Sequence, residues 1–263
     1  MSQDDFHPDT QQITLPIIGY HRSALSQKFG IPRQPNLVVL PSVIEMVTPY
    51  DMPEAFLGIE DFSHLWISWH THHNHLNSPQ DNAESGHRFK PKVRPPRLGG
   101  NTKLGVFATR STYRPSQLGL SVVKLVKVEV VSGAVRLHIT GADMVDGTPI
   151  IDIKPYIAYS DALTDAVSGF APDKPKLKPV VLSPQAESQL DGLCQQAGSG
   201  IDSEDKLIIT GLIAQDPRPA YRQQDTKRIY FMRYKHYDIG FQMQSSTHNC
   251  SDSTLCIVSI TPA

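Results

Sequence analysis

The sequence predicts a mainly β protein, with a barrel or sandwich of short strands over residues 13–160 and a smaller α+β unit over residues 161–263. Three observations carry that expectation. About six short apolar runs precede residue 160, with scarcely any helical periodicity among them. The chain holds 21 prolines and 17 glycines in 263 residues, which favours many turns over a helical bundle. No GxGxxG follows an apolar run and no phosphate-loop lysine motif occurs. The one glycine pair in an inviting context, Gly99–Gly100 in RPPRLGGN, lies after prolines instead of opening a helix.

Residues 1–12 are acidic and polar and read as a disordered leader with neither the charge nor the hydropathy of an export signal. Residues 13–20 (ITLPIIGY) read as the first strand. Pro32 and Pro35 hold Arg33 and Gln34 in an extended turn, because a residue before proline is pushed out of the helical region. Residues 37–47 give a second strand, residues 53–57 a short helical turn, and residues 62–72 a strand rich in aromatic and β-branched side chains. Residues 74–96 form a long polar loop, the kind that is mobile or functional. Strands follow at 105–109, 121–131, 134–140 and 150–156, with VSGA marking a hairpin between the middle two. Residues 170–179 (FAPDKPKLKP) read as a linker. Ser183 followed by Pro184 opens a helix that Gly198 ends, and Asp202 or Ser203 caps a second one that Pro217 stops. Residues 228–244 and 254–261 close the chain as strands.

Composition narrows the function classes. The net charge is −1, so an anionic partner must be met by a local patch. Residues 86–130 supply it, with ten Lys and Arg against one acid, Glu129, a local balance of +9. Residues 221–235 add five basic residues against Asp225, interleaved with Tyr221, Tyr230, Phe231 and Tyr234. Basic groups contact phosphates while aromatic faces stack on unpaired bases. A solvated surface would look much the same, so the charge alone does not establish nucleic-acid binding. No run approaches the roughly 18 apolar residues of a membrane span. The cysteines, Cys194, Cys250 and Cys256, form no CxxC pair and read as free thiols of a reducing cytoplasm. The tract HTHHNH places His70, His72, His73 and His75 together, but no nearby cysteine completes a tetrahedral metal site, and no metal is expected. Trp66 and Trp69 read as barrel core and dimer packing, and Cys194 as a small buried residue on a helix.

A set of distinctive words runs through the chain: GYHRSA (19–24), FGIPRQP (29–35), FSHLW (62–66), RPPRLGGN (94–101), GVFATRS (105–111), RPSQLGLS (114–121), DMVDGTP (143–149), DIKPY (152–156) and DPRPAYR (216–222). In this order they resemble the TrmO/TsaA-like family, over roughly residues 13–235. The resemblance implies a non-Rossmann β-barrel enzyme that uses S-adenosylmethionine, works as a homodimer in the cytoplasm, and methylates N6 of threonylcarbamoyladenosine beside the tRNA anticodon. It implies cofactor contacts at Gln34, Pro35 and Asn36, at His72 and His73, at Arg110, at Leu120, and along Thr140, Gly141, Ala142 and Asp143. Asn36 occupies a turn position where relatives often carry Gly.

The chemistry suggests further roles. A carbamoylated N6 is a poor nucleophile, so a base or a cation on the carbamoyl oxygen would assist. Asp146 and Asp152 are the candidate base or orienting acid; Arg110, Lys154 and Arg218 are candidates for holding the threonyl carboxylate or a phosphate. Arg94, Arg97, Arg114, Asp216, Arg218 and Tyr221 are the candidate tRNA contacts. Plain alternatives exist: Asp146 as an ordinary turn aspartate, and Asp152 with Lys154 as a surface pair. Two other functions compete, a non-catalytic RNA-binding barrel and a metal-dependent hydrolase built on the histidine tract.

Overall fold

A computed structural model describes residues 13–73, 90–223, 225–244 and 253–263. The leader 1–12, most of the polar loop, His75 and Cys250 lie outside these described residues. Six antiparallel strands close a barrel in the order β1-β2-β7-β6-β3-β8. These are β1 (Gly19–Ser23), β2 (Pro41–Met46), β3 (His64–His70), β6 (Leu118–Val131), β7 (Ala134–Thr140) and β8 (Pro149–Pro155). The two-residue strands β4 (Lys92–Val93) and β5 (Leu104–Gly105) pair as a small ribbon outside it. A one-turn helix, α1 (Ala158–Asp161), leads away from β8.

The barrel follows from period-two patterning. In β7, Val135, Leu137 and Ile139 are buried while their neighbours are half-exposed. Together with Ile44, Leu65, Ile67, Val123 and Ile150 they fill the interior. The β6–β7 hairpin turns on Ser132 and Gly133, both at positive φ (52° and 87°), the geometry that matches strand twist.

The second unit is a four-stranded sheet, β10-β11-β12-β9, covered by two helices. Its strands are β9 (Val180–Leu182), β10 (Tyr230–Tyr234), β11 (Tyr237–Gln244) and β12 (Thr254–Pro262). Helix α2 (Pro184–Gln195) starts under the Ser183 hydroxyl, which accepts from the Ala186 amide. Helix α3 (Ser203–Ala214) starts in a reciprocal box between Asp202 and Asp205. Leu25, Val38 and Leu40, from the segment between β1 and β2, are buried in this second core with Ile209, Leu212 and Phe241. The stretch that leaves the barrel at Ser23 therefore ties the two cores together. Cys194 is half-buried against this core.

Several expectations shift. The first strand begins at Gly19, not Ile13, because pairing with β2 and β8 begins there. The Gly19 backbone lies so close to the Glu45 carbonyl that a Cβ would sit 2.7 Å from it. Residues 106–108 form a 3-10 turn instead of a strand, closed by the Thr109 hydroxyl donating to the Val106 carbonyl. The single strand expected at 228–244 is a hairpin. Lys235 makes the turn at φ 51°, and its ammonium reaches the Gly200 carbonyl and Asp205. Strand β3 ends at His70, two residues short of the expected end at residue 72; the His72 amide turns back to the His70 carbonyl. Trp66 packs outside the barrel against Tyr156, donating to Asp161.

His21 lies fully buried on β1, its Nδ1–H donating to the Val145 carbonyl at 3.0 Å and its Nε2 without a partner among the described residues. Burial lowers its pKa below 6.5. The unfolded chain then binds the proton more readily, so stability is full above about pH 6.5 and falls on acidification below it. Denaturant midpoints between pH 7.5 and 5.5 are expected to drop more for the wild type than for His21→Asn, whose amide keeps a donor without a titrating ring. Parallel curves would remove His21 from that role.

Candidate functional site

A cleft of about 540 Å³ opens at one mouth of the barrel, a size typical of small-molecule sites. Its floor is the loop between β7 and β8, which carries Asp143. Its walls come from the turn after Pro32, the end of β3, the loop at Thr109–Arg114 and the start of β6.

The floor is organised by a relay. Trp69 Nε1–H donates to Ser121 Oγ at 3.0 Å, and Ser121 donates to Asp143 Oδ1 at 2.5 Å. The Trp69 ring lies directly on Gly119, where a Cβ would stand 2.2 Å from it. Only glycine leaves room for the indole. Burial raises the Asp143 pKa, while the Ser121 hydrogen bond and the Arg110 charge oppose the shift. Arg110 is aimed by Gln34, whose amide oxygen accepts from its Nη1 at 2.5 Å. His72 also lines the cleft; burial and the adjacent His73, 4.0 Å away ring to ring, lower its pKa, so it is neutral at pH 7. Lys28 donates to the His73 carbonyl and pins that segment.

The sequence-based candidates divide into groups. Gln34, His72, His73, Arg110, Leu120 and Asp143 all line the cleft. Pro35 and Asn36, next in the chain after Gln34, do not line it. Asn36 adopts φ 62°, a region asparagine tolerates, which accounts for its place at a glycine-favouring turn. Its amide donates to the Gly141 carbonyl and its side chain to the Val122 carbonyl, so this turn is pinned to both β6 and the floor loop. Gly141, at φ 83°, meets Asn36 with no room for a Cβ. Ala142 is buried in the barrel core, and Thr140 faces the groove toward the second unit.

The candidate chemical groups fall elsewhere. Asp146 accepts from the Ser23 amide. Asp152 and Lys154 pair with each other at 3.2 Å on the exposed barrel wall. Arg218 is fully buried, held by Asp216 in a two-pronged ion pair at 2.7 and 2.9 Å and by the carbonyls of Gln223 and Asp225. Of the candidate tRNA contacts, Arg94 and Arg97 are exposed, and Tyr221 is 75% exposed beneath the Arg222 guanidinium. Arg114 is spent on the carbonyls of Val106 and Thr109. Asp216 is buried with Arg218.

Sequence reasoning did not single out Trp69 as a site residue, nor Ser121, Lys28 or Arg33. Ser121 left a signal: it shares inward parity with Val123 and Leu125, and a polar residue at an apolar position asks for a partner. Among the described residues, no three His, Cys, Asp or Glu side chains converge to hold a metal, and no helix is long and apolar enough to cross a membrane.

Fold and cleft together define a class: a closed β-barrel with a cleft of small-molecule size at its mouth, lined by a largely buried carboxylate and by arginines, in a sequence with no glycine-rich phosphate loop. The comparisons are more specific. The family model for the tRNA-methyltransferase O N-terminal domain matches residues 20–162, and that for the C-terminal domain matches residues 175–261. The chain belongs to the tRNA-methyltransferase O family. It is 39% identical over 236 residues to the Escherichia coli tRNA (adenine(37)-N6)-methyltransferase, covering 86% of this chain and 94% of that protein. A Pseudomonas aeruginosa protein named as an S-adenosylmethionine-dependent methyltransferase is 41% identical over 223 residues, covering 84% of this chain and 89% of its own length. A crystal structure of TrmO from Pseudomonas aeruginosa superposes with a TM-score of 0.71 at 31% identity, over 98% of this chain and all of that one.

Proposed function

We propose that this protein methylates N6 of adenosine 37 in tRNA with S-adenosylmethionine, and that its acceptor carries the threonylcarbamoyl group. The observation that carries the reading is the barrel-mouth cleft with Asp143 held by the Trp69–Ser121 relay, in a chain of this family. The donor set suits the cofactor. Asp143 would take its ammonium or ribose hydroxyls, the Arg110–Gln34 pair its carboxylate, and the Trp69 wall its apolar surface. Bound there, the cofactor supplies a methyl group on a cationic sulfur, already a strong electrophile.

The protein's own part is then alignment, exclusion of water and handling of the N6 proton. Neutral His72 stands at the cleft wall as a proton acceptor. Asp146 and Asp152, hydrogen-bonded or paired away from the cleft, do not serve as the base in this reading. Arg94, Arg97, Tyr221 and Arg222 form the RNA-facing surface. Phosphate contacts from the arginines and stacking on Tyr221 would hold an unpaired anticodon loop. A homodimer in the cytoplasm completes the proposal. Leu120, Val126 and Val130, each more than half exposed on β6, supply the apolar surface a second copy would cover.

The test is mass spectrometry of nucleosides from tRNA incubated with protein and cofactor. One added methyl on threonylcarbamoyladenosine is expected, and none on tRNA lacking that group. Salt-sensitive RNA binding without methylation by folded protein would favour a binding barrel instead.

A further inference from the structure

Lys28, Arg33, Arg110 and Arg114 line the cleft, and of these Arg110 is the one whose charge acts on Asp143. Arg110 lies close enough to bias the Asp143 carboxyl and is aimed by Gln34 from the same wall. Arg33 belongs to a different neighbourhood. Its Nη2 reaches the backbone carbonyls of Asp216 and Arg218, both at 3.4 Å. The nearest acid that affects it is Asp216, whose carboxylate is already committed to Arg218. Arg33 thus lines the cleft as a cation with no carboxylate partner among the described residues.

Its support is unusually rigid. Pro32 precedes it, and Pro217 and Pro219 flank Arg218. The buried Asp216–Arg218 pair fixes the two carbonyls that receive the guanidinium. The same DPRPAYR segment continues at once into the turn Ala220–Arg222, which presents exposed Tyr221 with Arg222 stacked on it. Arg33 therefore stands where the cleft meets the DPRPAYR segment of the second unit, which carries Tyr221 and Arg222.

We infer that Arg33 is the acceptor-side recognition residue, binding the carboxylate that the N6 substituent carries, and that Asp216 and Arg218 are positioning residues that hold it there. The inference rests on the function proposed above. A guanidinium fork matches a carboxylate in two parallel hydrogen bonds, and an arginine lacking its own acid is free to make them. Of the other cations considered for this task, Lys154 and Arg218 are paired with Asp152 and Asp216, and Arg110 is held by Gln34 and acts on Asp143. The arrangement accounts for the second unit's place in the reaction: it sets the direction of a side chain that belongs to the barrel's own chain segment.

The experiment compares two acceptors and three proteins. The acceptors are an anticodon stem-loop bearing threonylcarbamoyladenosine and the same RNA with that carboxylate converted to a neutral methyl ester. The proteins are the full-length wild type, Arg33→Ala and Arg33→Lys. The wild type is expected to prefer the acid by about ten- to a hundredfold in kcat/KM, the scale of one hydrogen bond to a charged group. Arg33→Ala should lose that preference, Arg33→Lys should regain part of it, and donor affinity by calorimetry should stay within about twofold in all three. Equal use of both acceptors by the wild type would overturn the inference while leaving the methyltransferase intact. A loss in Arg33→Ala that is the same for both acceptors would assign Arg33 to a phosphate, and a tenfold loss of donor affinity would assign it to the cofactor. If the wild type methylates neither RNA, the proposed function fails and the inference falls with it.

Discussion

Asp143→Asn is expected to weaken cofactor binding by about ten- to a hundredfold, the worth of a charged hydrogen-bond partner removed from a secluded site. The substitution isolates charge from shape. An asparagine oxygen can still accept from Ser121, so the Trp69–Ser121 relay survives while the negative charge goes. The wild type adds a pH signature. Burial raises the Asp143 pKa above the ordinary carboxylate range, so the carboxylate is lost on acidification earlier than for an exposed aspartate. Cofactor affinity should therefore fall as the pH drops toward that raised value and recover above it, whereas Asp143→Asn should show no such limb. Calorimetry across this range, with circular dichroism confirming folded protein at each point, checks both statements. Wild-type affinity in the asparagine variant would take Asp143 out of the cofactor site.

The largest stability loss is expected from Arg218→Met. Its guanidinium is wholly enclosed and makes two bonds to Asp216 and two more to the carbonyls of Gln223 and Asp225. Removing it strands the Asp216 carboxylate in the interior with Lys178, 3.8 Å away, and the charge of Arg33 as the remaining compensation among the described residues. Breaking a buried pair in this way costs about 3–5 kcal/mol. Neutralising both partners costs less, because no bare charge remains. The double variant Asp216→Asn/Arg218→Met should therefore recover a large part of the loss. Asparagine is chosen because Asp216 sits at φ 47°, where other side chains are strained. Denaturant unfolding of the two variants decides the matter. A loss below about 1 kcal/mol in Arg218→Met would show that the pair contributes little net stability, as some buried pairs do.

The pair also shows how far the sequence could be read. DPRPAYR marked a rigid, positioned segment, and its prolines justified that. They did not say which way Arg218 points. An arginine between two prolines has the same local signature whether it reaches for a phosphate or folds back onto an aspartate two residues earlier. Here it folds back, because the segment packs against the second core and an inward guanidinium needs an inward acid. The cleft cation that this segment supports is Arg33, distant by almost two hundred residues in sequence, and no local pattern links the two. The Lys235 turn makes the same point. It lacks the glycine or asparagine that announces a hairpin, and its positive φ is held by Asp205, Gly200 and Ala24.

Features that depend on neighbours along the chain are written into the sequence. Alternating Val135, Leu137 and Ile139 dictate a half-buried strand, Ser132–Gly133 a hairpin turn, and Ser183 and Asp202 the helix starts. Tertiary structure alone decided which side chains meet. Pairing of β1 with β8 closes the barrel and brings Arg33 and Gln34, Trp69 to His73, Arg110, Ser121 and Asp143 around one cleft. The same closure leaves Asp152 and Lys154 on the outside wall. The reason is physical: local conformation is set by backbone sterics and side-chain period, whereas convergence of distant residues is set by the packing of a closed sheet.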